Sequence, residues 1–229
     1  MNANRAILIL IATLTPLAGV RAQTPNTVFI EEMTWTEVRD AMQAGKTAII
    51  VPIGGTEQNG PNIVLGKHNV RAKVLAADIA ARLGNALVAP VLAYVPEGSI
   101  DPPTGHMRHA GTISIPPDAF EKTLEGAARS FLKHGFTLVV LLGDHGGYQA
   151  SLHRVAARMN RRGARPAVLV PKDYYRELEH AGPADTDLTL ATDPKLVRDR
   201  GNASAERGRN ARREIVEGTA AAIAKAAGR

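Results

Sequence analysis

Residues 47–53, Thr-Ala-Ile-Ile-Val-Pro-Ile, form a nearly unbroken apolar run. A strand with one wet face alternates polar and apolar residues, so a continuous run belongs to a strand shielded on both faces. Residues 137–142, Thr-Leu-Val-Val-Leu-Leu, have the same character. Residues 86–95 read as a further strand, bent or partly unpaired at its internal proline. Residues 166–170, Pro-Ala-Val-Leu-Val, make a fourth. Between these runs the spacing is helical. Trp35 to Ala44 is a short helix with Thr34 as N-cap and Glu37 closing a capping box. Val70 to Leu83 is stopped by Gly84-Asn85, Pro117 to His134 opens on proline, and Tyr148 to Arg161 follows the third strand. A polar connection through 172–187 leads to a short helix, and Ala203 to Ala227 closes the chain. Strands alternating with helices predict an α/β fold, a three-layer α/β/α sandwich around a mainly parallel sheet. Residues 96–113, with Gly98, Pro102, Pro103 and Gly105, have no period and read as a long functional loop.

Residues 1–22 read as an export signal. Arg5 supplies the positive start, Ala6 to Val20 is mostly apolar, and Val20-Arg-Ala22 offers a small residue for cleavage. The expected location is periplasmic or secreted, with no stable membrane anchor after cleavage near Ala22. The remaining stretch, 23–229, suits one domain. With no cysteine, neither disulfides nor thiolate metal sites are available. The formal charge of +6 suggests nucleic acid until it is divided. Residues 195–229 hold nine Lys/Arg and four Asp/Glu, Arg5 and Arg21 fall in the export segment, and the body between is near −1. No aromatics accompany the C-terminal arginines, so no base-stacking surface is expected, and a solvated or subunit-contacting helix face is.

In parallel α/β sheets, ligands gather beyond the carboxyl ends of the strands. Glu57 follows the 47–53 strand in Gly54-Gly-Thr-Glu-Gln-Asn-Gly-Pro61. His145 follows the 137–142 strand in Gly143-Asp-His-Gly-Gly147. Both fall on the same rim, and Leu65-Gly-Lys-His68 adds a second imidazole. A carboxylate and two imidazoles suit a divalent transition metal and leave positions open for water and substrate. Zinc is the first expectation, with manganese or iron as alternatives. Neither a P-loop nor a G-x-G-x-x-G pattern accompanies the Gly-rich turns, which sets a phosphate-binding reading aside.

The chain resembles the creatininase (creatinine amidohydrolase) family. The matching pieces are Gly54-Gly-Thr-Glu-Gln-Asn-Gly-Pro61, Gly111-Thr-Ile-Ser-Ile115, His134-Gly-Phe136, Gly143-Asp-His-Gly-Gly147 and His180-Ala-Gly182 with Asp185-Thr186 behind it, in family order over roughly residues 48–190. The resemblance implies a three-layer α/β/α fold, a divalent metal centre, hydrolysis of a non-peptide C–N bond and a homo-oligomer. By the same resemblance Glu57 and His145 match metal ligands, His180 matches a proton-transfer histidine, and His106 lines the substrate loop beside Arg108 and His109.

Departures from the family pattern are as informative as the matches. His68 stands where the family has a metal-bridging aspartate, and Asn59 and Asn62 replace two histidines. Gly147 replaces a glutamate ligand, and Asp185 stands where many relatives have a glutamate. A neutral imidazole offers a metal one lone pair and cannot bridge two ions as a carboxylate does. The expectation is therefore one ion per subunit, held by Glu57, His68 and His145, with Asp185 a fourth ligand or water holder. In that scheme Asp185 or Glu57 takes a proton from a metal-activated water, and His180 protonates the leaving nitrogen. Asn59, His106, Arg108 and His109 contact a small amide substrate, possibly cyclic, and Lys67 anchors a carboxylate. The alternative is a catalytically inactive relative that binds a small ligand or metal on the same scaffold.

Overall fold

The structure, a computed structural model, describes residues 26–160 and 166–228. The expected export signal at 1–22 lies outside the described residues. Four strands, β1 (Ala48–Ile53), β2 (Ala86–Val88), β3 (Leu138–Gly143) and β4 (Val168–Leu169), pair in the order β2-β1-β3-β4. Every pairing is parallel, with Ala48 opposite Leu138 and Ile53 opposite Gly143. The six helices among the described residues are α1 (Trp35–Gln43), α2 (Lys67–Leu83), α3 (Pro117–Lys133), α4 (Gln149–Met159), α5 (Pro183–Thr192) and α6 (Ala205–Ala226).

The apolar runs behave as their composition demands. Ile49, Val51, Ile53, Val139 and Leu141 pack on one face against Phe120 and Leu124 of α3 and Leu152 and Val155 of α4. Ala48, Ile50, Leu138, Val140 and Leu142 pack on the other against Leu75 and Ile79 of α2 and Ile215 and Ile223 of α6. Successive side chains point to opposite faces, so one continuous run feeds both cores. The predicted capping box forms: Glu37 N–H donates to Thr34 Oγ1, and Thr34 N–H donates to the Glu37 carboxylate.

The bounds of two elements matter for the site. Regular pairing of β2 ends at Val88, and an isolated bridge joins Ile53 to Leu92, so the strand read across 86–95 is largely unpaired from its internal proline onward. Pro90 lacks an amide to extend the ladder. Helix α2 begins at Lys67, not Val70, and its first turn holds Lys67, His68 and Arg71, all buried. These polar residues break the apolar period because they face a polar centre instead of the sheet. No helix among the described residues is long and apolar enough to cross a membrane.

Candidate metal centre

The exits of β1 and β3 are locked to α2 and to each other. Gly54 abuts the first turn of α2 so closely that a Cβ there would lie 2.7 Å from Asn69 Cα. Gly55 N–H donates to Asn69 Oδ1 at 2.9 Å. The Tyr148 hydroxyl, beyond β3, reaches Gly54 O at 2.6 Å and Ile53 O at 2.9 Å while accepting from His145 N–H at 3.1 Å. The loop of Glu57 and the loop of His145 are thereby held in one frame.

Glu57 lies at the middle of this frame, its side chain wholly buried. Its Oε1 faces His68 Nε2 at 2.9 Å and His180 Nδ1 at 3.6 Å. Its Oε2 faces His106 Nε2 at 3.0 Å and His145 Nε2 at 3.4 Å. Four imidazoles from four separate stretches of chain thus meet one carboxylate. Burial pushes the Glu57 carboxyl up, but the His68 hydrogen bond and the neighbouring His145, His68 and His106 prevail and hold it at about 2. Burial pulls His145 down to about 4 and also lowers His106, against the opposing attraction of Glu57. His145 and His106 are therefore neutral near pH 7. Neither nitrogen near Glu57 Oε2 is aligned as a hydrogen bond, and this buried oxygen has no such partner among the described residues. An unpartnered, ionised oxygen approached by neutral nitrogens fits a cation.

One ligand atom each from Glu57, His106 and His145 lies within 4.8 Å of the others. That set holds His106 and not His68, the imidazole expected from the sequence, and the two rings differ in their hydrogen bonding. Asp144 Oδ2 stands 2.6 Å from His68 Nδ1, closer than Arg71 Nη2 at 3.2 Å, so Nδ1 carries a proton. His68 Nε2, 2.9 Å from Glu57 Oε1, is hydrogen-bonded to that carboxylate and is the nitrogen whose proton a cation would replace. His106 is fixed the other way. Gln58 Oε1 accepts from Gly60 N–H at 2.9 Å, which turns the Gln58 amide nitrogen toward His106 Nδ1 at 2.9 Å. His106 therefore accepts at Nδ1 and keeps its proton on Nε2. His180 Nε2–H donates to Gln58 O at 2.9 Å and leaves its Nδ1 lone pair toward the centre.

Beneath the histidines lies a buried ionic network. Arg71 Nε donates to Asp144 Oδ2 at 2.8 Å and Nη1 to Asp185 Oδ1 at 2.6 Å. Lys67 Nζ and Ala181 N–H both donate to Asp185 Oδ2. Burial opposes charge on Asp144 and Asp185, yet Arg71, joined at Asp185 by Lys67, holds both carboxyls below the usual range. This corrects the expected role of Asp185, since both oxygens are committed and it is neither a free ligand nor a base. Lys67 is buried against Asp185 and is no substrate anchor. Asn59 is buried too, its Nδ2 donating to Glu57 O at 3.0 Å and Val64 O at 3.1 Å, so it shapes the loop and does not face substrate. Asp144 orients His68 and not its chain neighbour His145. Arg108 and His109 are exposed, and only His106 of that trio borders the cleft.

That cleft, of about 210 Å³, is lined by Lys67, His68, Arg71, His106, Asp144, His145, Tyr175, His180 and Asp185, among others. A larger apolar groove of about 840 Å³, lined by Trp35, Met42, Phe131 and Phe136 among others, adjoins the turn into β3 and contains none of these groups. Two buried charged residues beside the histidines escape sequence reasoning. Arg71 hides in a helical period, and Glu97 sits in the loop after residue 95 with no flanking motif. Glu97 is 4 % exposed, and burial together with the nearby Glu57 carboxylate pushes its carboxyl up to about 9.

Comparison with known proteins bears on this geometry. The sequence model for creatininase, described as creatinine amidohydrolase, matches residues 31–228. The chain is 32 % identical over 160 residues to the mycofactocin precursor peptide peptidase of Mycobacterium tuberculosis (strain CDC 1551 / Oshkosh), covering 66 % of this chain and 61 % of that protein. It thus spans about three fifths of the length of that relative. It is 27 % identical over 197 residues to the creatinine amidohydrolase of Pseudomonas putida, covering 75 % and 74 % of the two. A solved mutant creatininase described as Zn-Zn type superposes with a TM-score of 0.73 at 24 % identity, covering 88 % of this chain and 98 % of the other.

Proposed function

We propose that this chain, which belongs to the creatininase family, is a metal-dependent hydrolase that breaks an amide C–N bond. One observation carries the reading: the buried Glu57 carboxylate is ringed by His68, His106, His145 and His180, with Oε2 left unpartnered. Glu57, His68 and His145 would hold one divalent ion, zinc in the first instance. When bound, the ion supplies Lewis-acid polarisation of the amide carbonyl and acidifies a water.

The chain's own groups do the rest. Asp144 keeps the His68 proton on Nδ1, so Nε2 stays a ligand. His180 takes the proton of the attacking water at Nδ1, the nitrogen that its bond to Gln58 O leaves free. It then passes that proton to the leaving nitrogen as the C–N bond breaks. His106, its ring 4.6 Å from that of His180, offers Nε2–H to the substrate carbonyl oxygen. A cleft of this size suits a small amide, cyclic or open. The named activities of the relatives, a creatinine amidohydrolase and a peptide peptidase, share amide cleavage and support that class. In the same reading, residues 1–22 direct export, residues 23–229 form one domain, and the C-terminal helix face contacts other subunits.

The test joins metal content, unfolding temperature with and without chelator, and turnover of creatinine, lactams, formamides and short peptides. One bound ion per chain, a chelator-sensitive unfolding temperature and turnover of at least one amide are expected. Metal-linked stability without any turnover would point to a binding protein, and the absence of bound metal would overturn the reading. The mature N-terminus by mass spectrometry and the mass in solution test export and assembly.

A further inference from the structure

A second recess adjoins the metal centre on the same rim of the sheet. Its volume is about 440 Å³, and it shares Gly146, Tyr175 and Glu177 with the inner cleft, so the two cavities meet along one border. The topology explains the position. Strands β3 and β4 are parallel neighbours. The exit of β3 carries His145 and Gly146, and the exit of β4 carries Pro171 and Lys172. Adjacent parallel strands end side by side, about 5 Å apart, and ligands of such sheets lie across those ends. The wall nearest the metal centre is braced, because Gln149 Nε2 donates to Gly143 O at 2.8 Å and to His145 O at 2.9 Å.

Tyr175 marks the border. Its hydroxyl rests on Gly146, where a Cβ would stand 2.5 Å from Tyr175 Oη, so no larger residue fits beside it. Burial pushes the Tyr175 phenol up, which keeps its proton available to a substrate that crosses from one cavity to the other. Charge distinguishes the two ends. Arg176, which lines the inner cleft, is engaged by Glu214 through two hydrogen bonds at 3.1 Å. Lys172, which lines the outer recess, is exposed and makes no ion pair among the described residues. Glu177 stands on the shared border and disfavours an anion there. Lys172 is thus the cation left to receive a negative group.

We propose that the recess is a substrate subsite, in which Lys172 pairs with the carboxylate of an open-chain amide that passes Tyr175 and presents its scissile bond to His106 and His180. The inference rests on the amide-hydrolase reading above and deepens it by naming the substrate class. That class is peptide-like amides with a free carboxylate end, which extend beyond the inner cleft of about 210 Å³. A charge-assisted hydrogen bond to a carboxylate supplies both attraction and direction.

The experiment uses metal-loaded full-length protein and a set of N-acetyl dipeptides, each offered with a free C-terminal carboxylate and as its carboxamide, beside creatinine as a compact amide. Wild type should prefer the carboxylate form about tenfold or more in kcat/KM, the effect of one hydrogen bond to a charged group. Lys172→Gln should bring the two forms within about twofold of each other, the residue of exposed charge effects, by raising KM for the carboxylate form alone. Lys172→Arg should keep the preference. Lys122→Gln removes an exposed charge from α3 and should leave the wild-type ratio unchanged. A wild-type ratio at or below one overturns the proposal, as does a preference that survives Lys172→Gln or is lost equally in Lys122→Gln. Cleavage of creatinine without cleavage of any dipeptide also overturns it and leaves the amide-hydrolase reading standing. Bound metal with no amide cleaved overturns that reading and the subsite with it.

Discussion

Asp144 Oδ2 lies 2.6 Å from His68 Nδ1, so a carboxylate decides which nitrogen of that imidazole is free. Outer partners of this kind govern ligand basicity and ring orientation. Asp144→Asn removes the charge that holds the proton on Nδ1. Metal affinity should fall about 10–100-fold in competition with a chromophoric chelator. An unchanged dissociation constant would count against His68 as a ligand.

In the proposed mechanism His180 acts on protons, not on the metal. His180→Asn should lower kcat about 10²–10⁴-fold while metal content stays at the wild-type level. Glu57→Gln should do the reverse, with metal lost first and activity with it. Elemental analysis beside steady-state kinetics separates the two, and metal loss in His180→Asn would place that histidine among the ligands.

Lys67 and Asp185 are an ion pair out of reach of water. Lys67→Met leaves Asp185 with Arg71 alone and should destabilise the fold by about 3–5 kcal/mol. The double substitution Lys67→Met with Asp185→Leu leaves Arg71 short of one partner, and it should recover part of that loss. Urea unfolding of the single and double variants gives the coupling, and strictly additive losses would contradict a buried pair.

Gly208 is where α6 crosses α5. A Cβ there would lie 1.8 Å from Asp187 O, a backbone atom that cannot swing aside. Gly208→Ala should therefore destabilise by more than about 2 kcal/mol even though alanine favours helix. A denaturation midpoint equal to wild type would mean that the two helices separate freely.

Acid should unfold the protein through the same network. Asp144 and Asp185 titrate lower in the folded chain than when unfolded, since Arg71 outweighs the effect of burial. A depressed carboxyl contributes stability that is complete above its unfolded value near 3.9 and is lost as pH falls through the folded value. Between pH 7 and 5 the lowered His145 and the raised Glu97 give opposing slopes, and the loss from Asp144 and Asp185 should appear as a drop in the urea midpoint below about pH 4. Asp185→Asn should flatten that drop, and an equally steep one in the variant would assign it elsewhere.

Much of this was legible in the chain itself. Continuous apolar runs at 47–53 and 137–142 specify strands covered on both faces, and Thr34 with Glu37 specifies a helix start that forms as read. Glu57 and His145 follow because a residue just past a buried parallel strand has one place to go. His68 was visible as a donor but not as a member of α2. The strand read across 86–95 pairs regularly only to Val88 and loses its ladder at Pro90, as its internal proline implied.

Composition and period determined the α/β order, the parallel sheet and the rim on which Glu57 and His145 meet, because these depend on local burial and on strand direction. Only the tertiary structure decided the partners. It committed Asp185 to Lys67 and Arg71, turned Asp144 toward His68, and brought Glu97 beside His145 from a loop without any motif. A carboxylate's role is set by whichever charge stands within a few ångströms of it, and residues separated by 48 to 118 positions acquire that proximity only when the chain has packed.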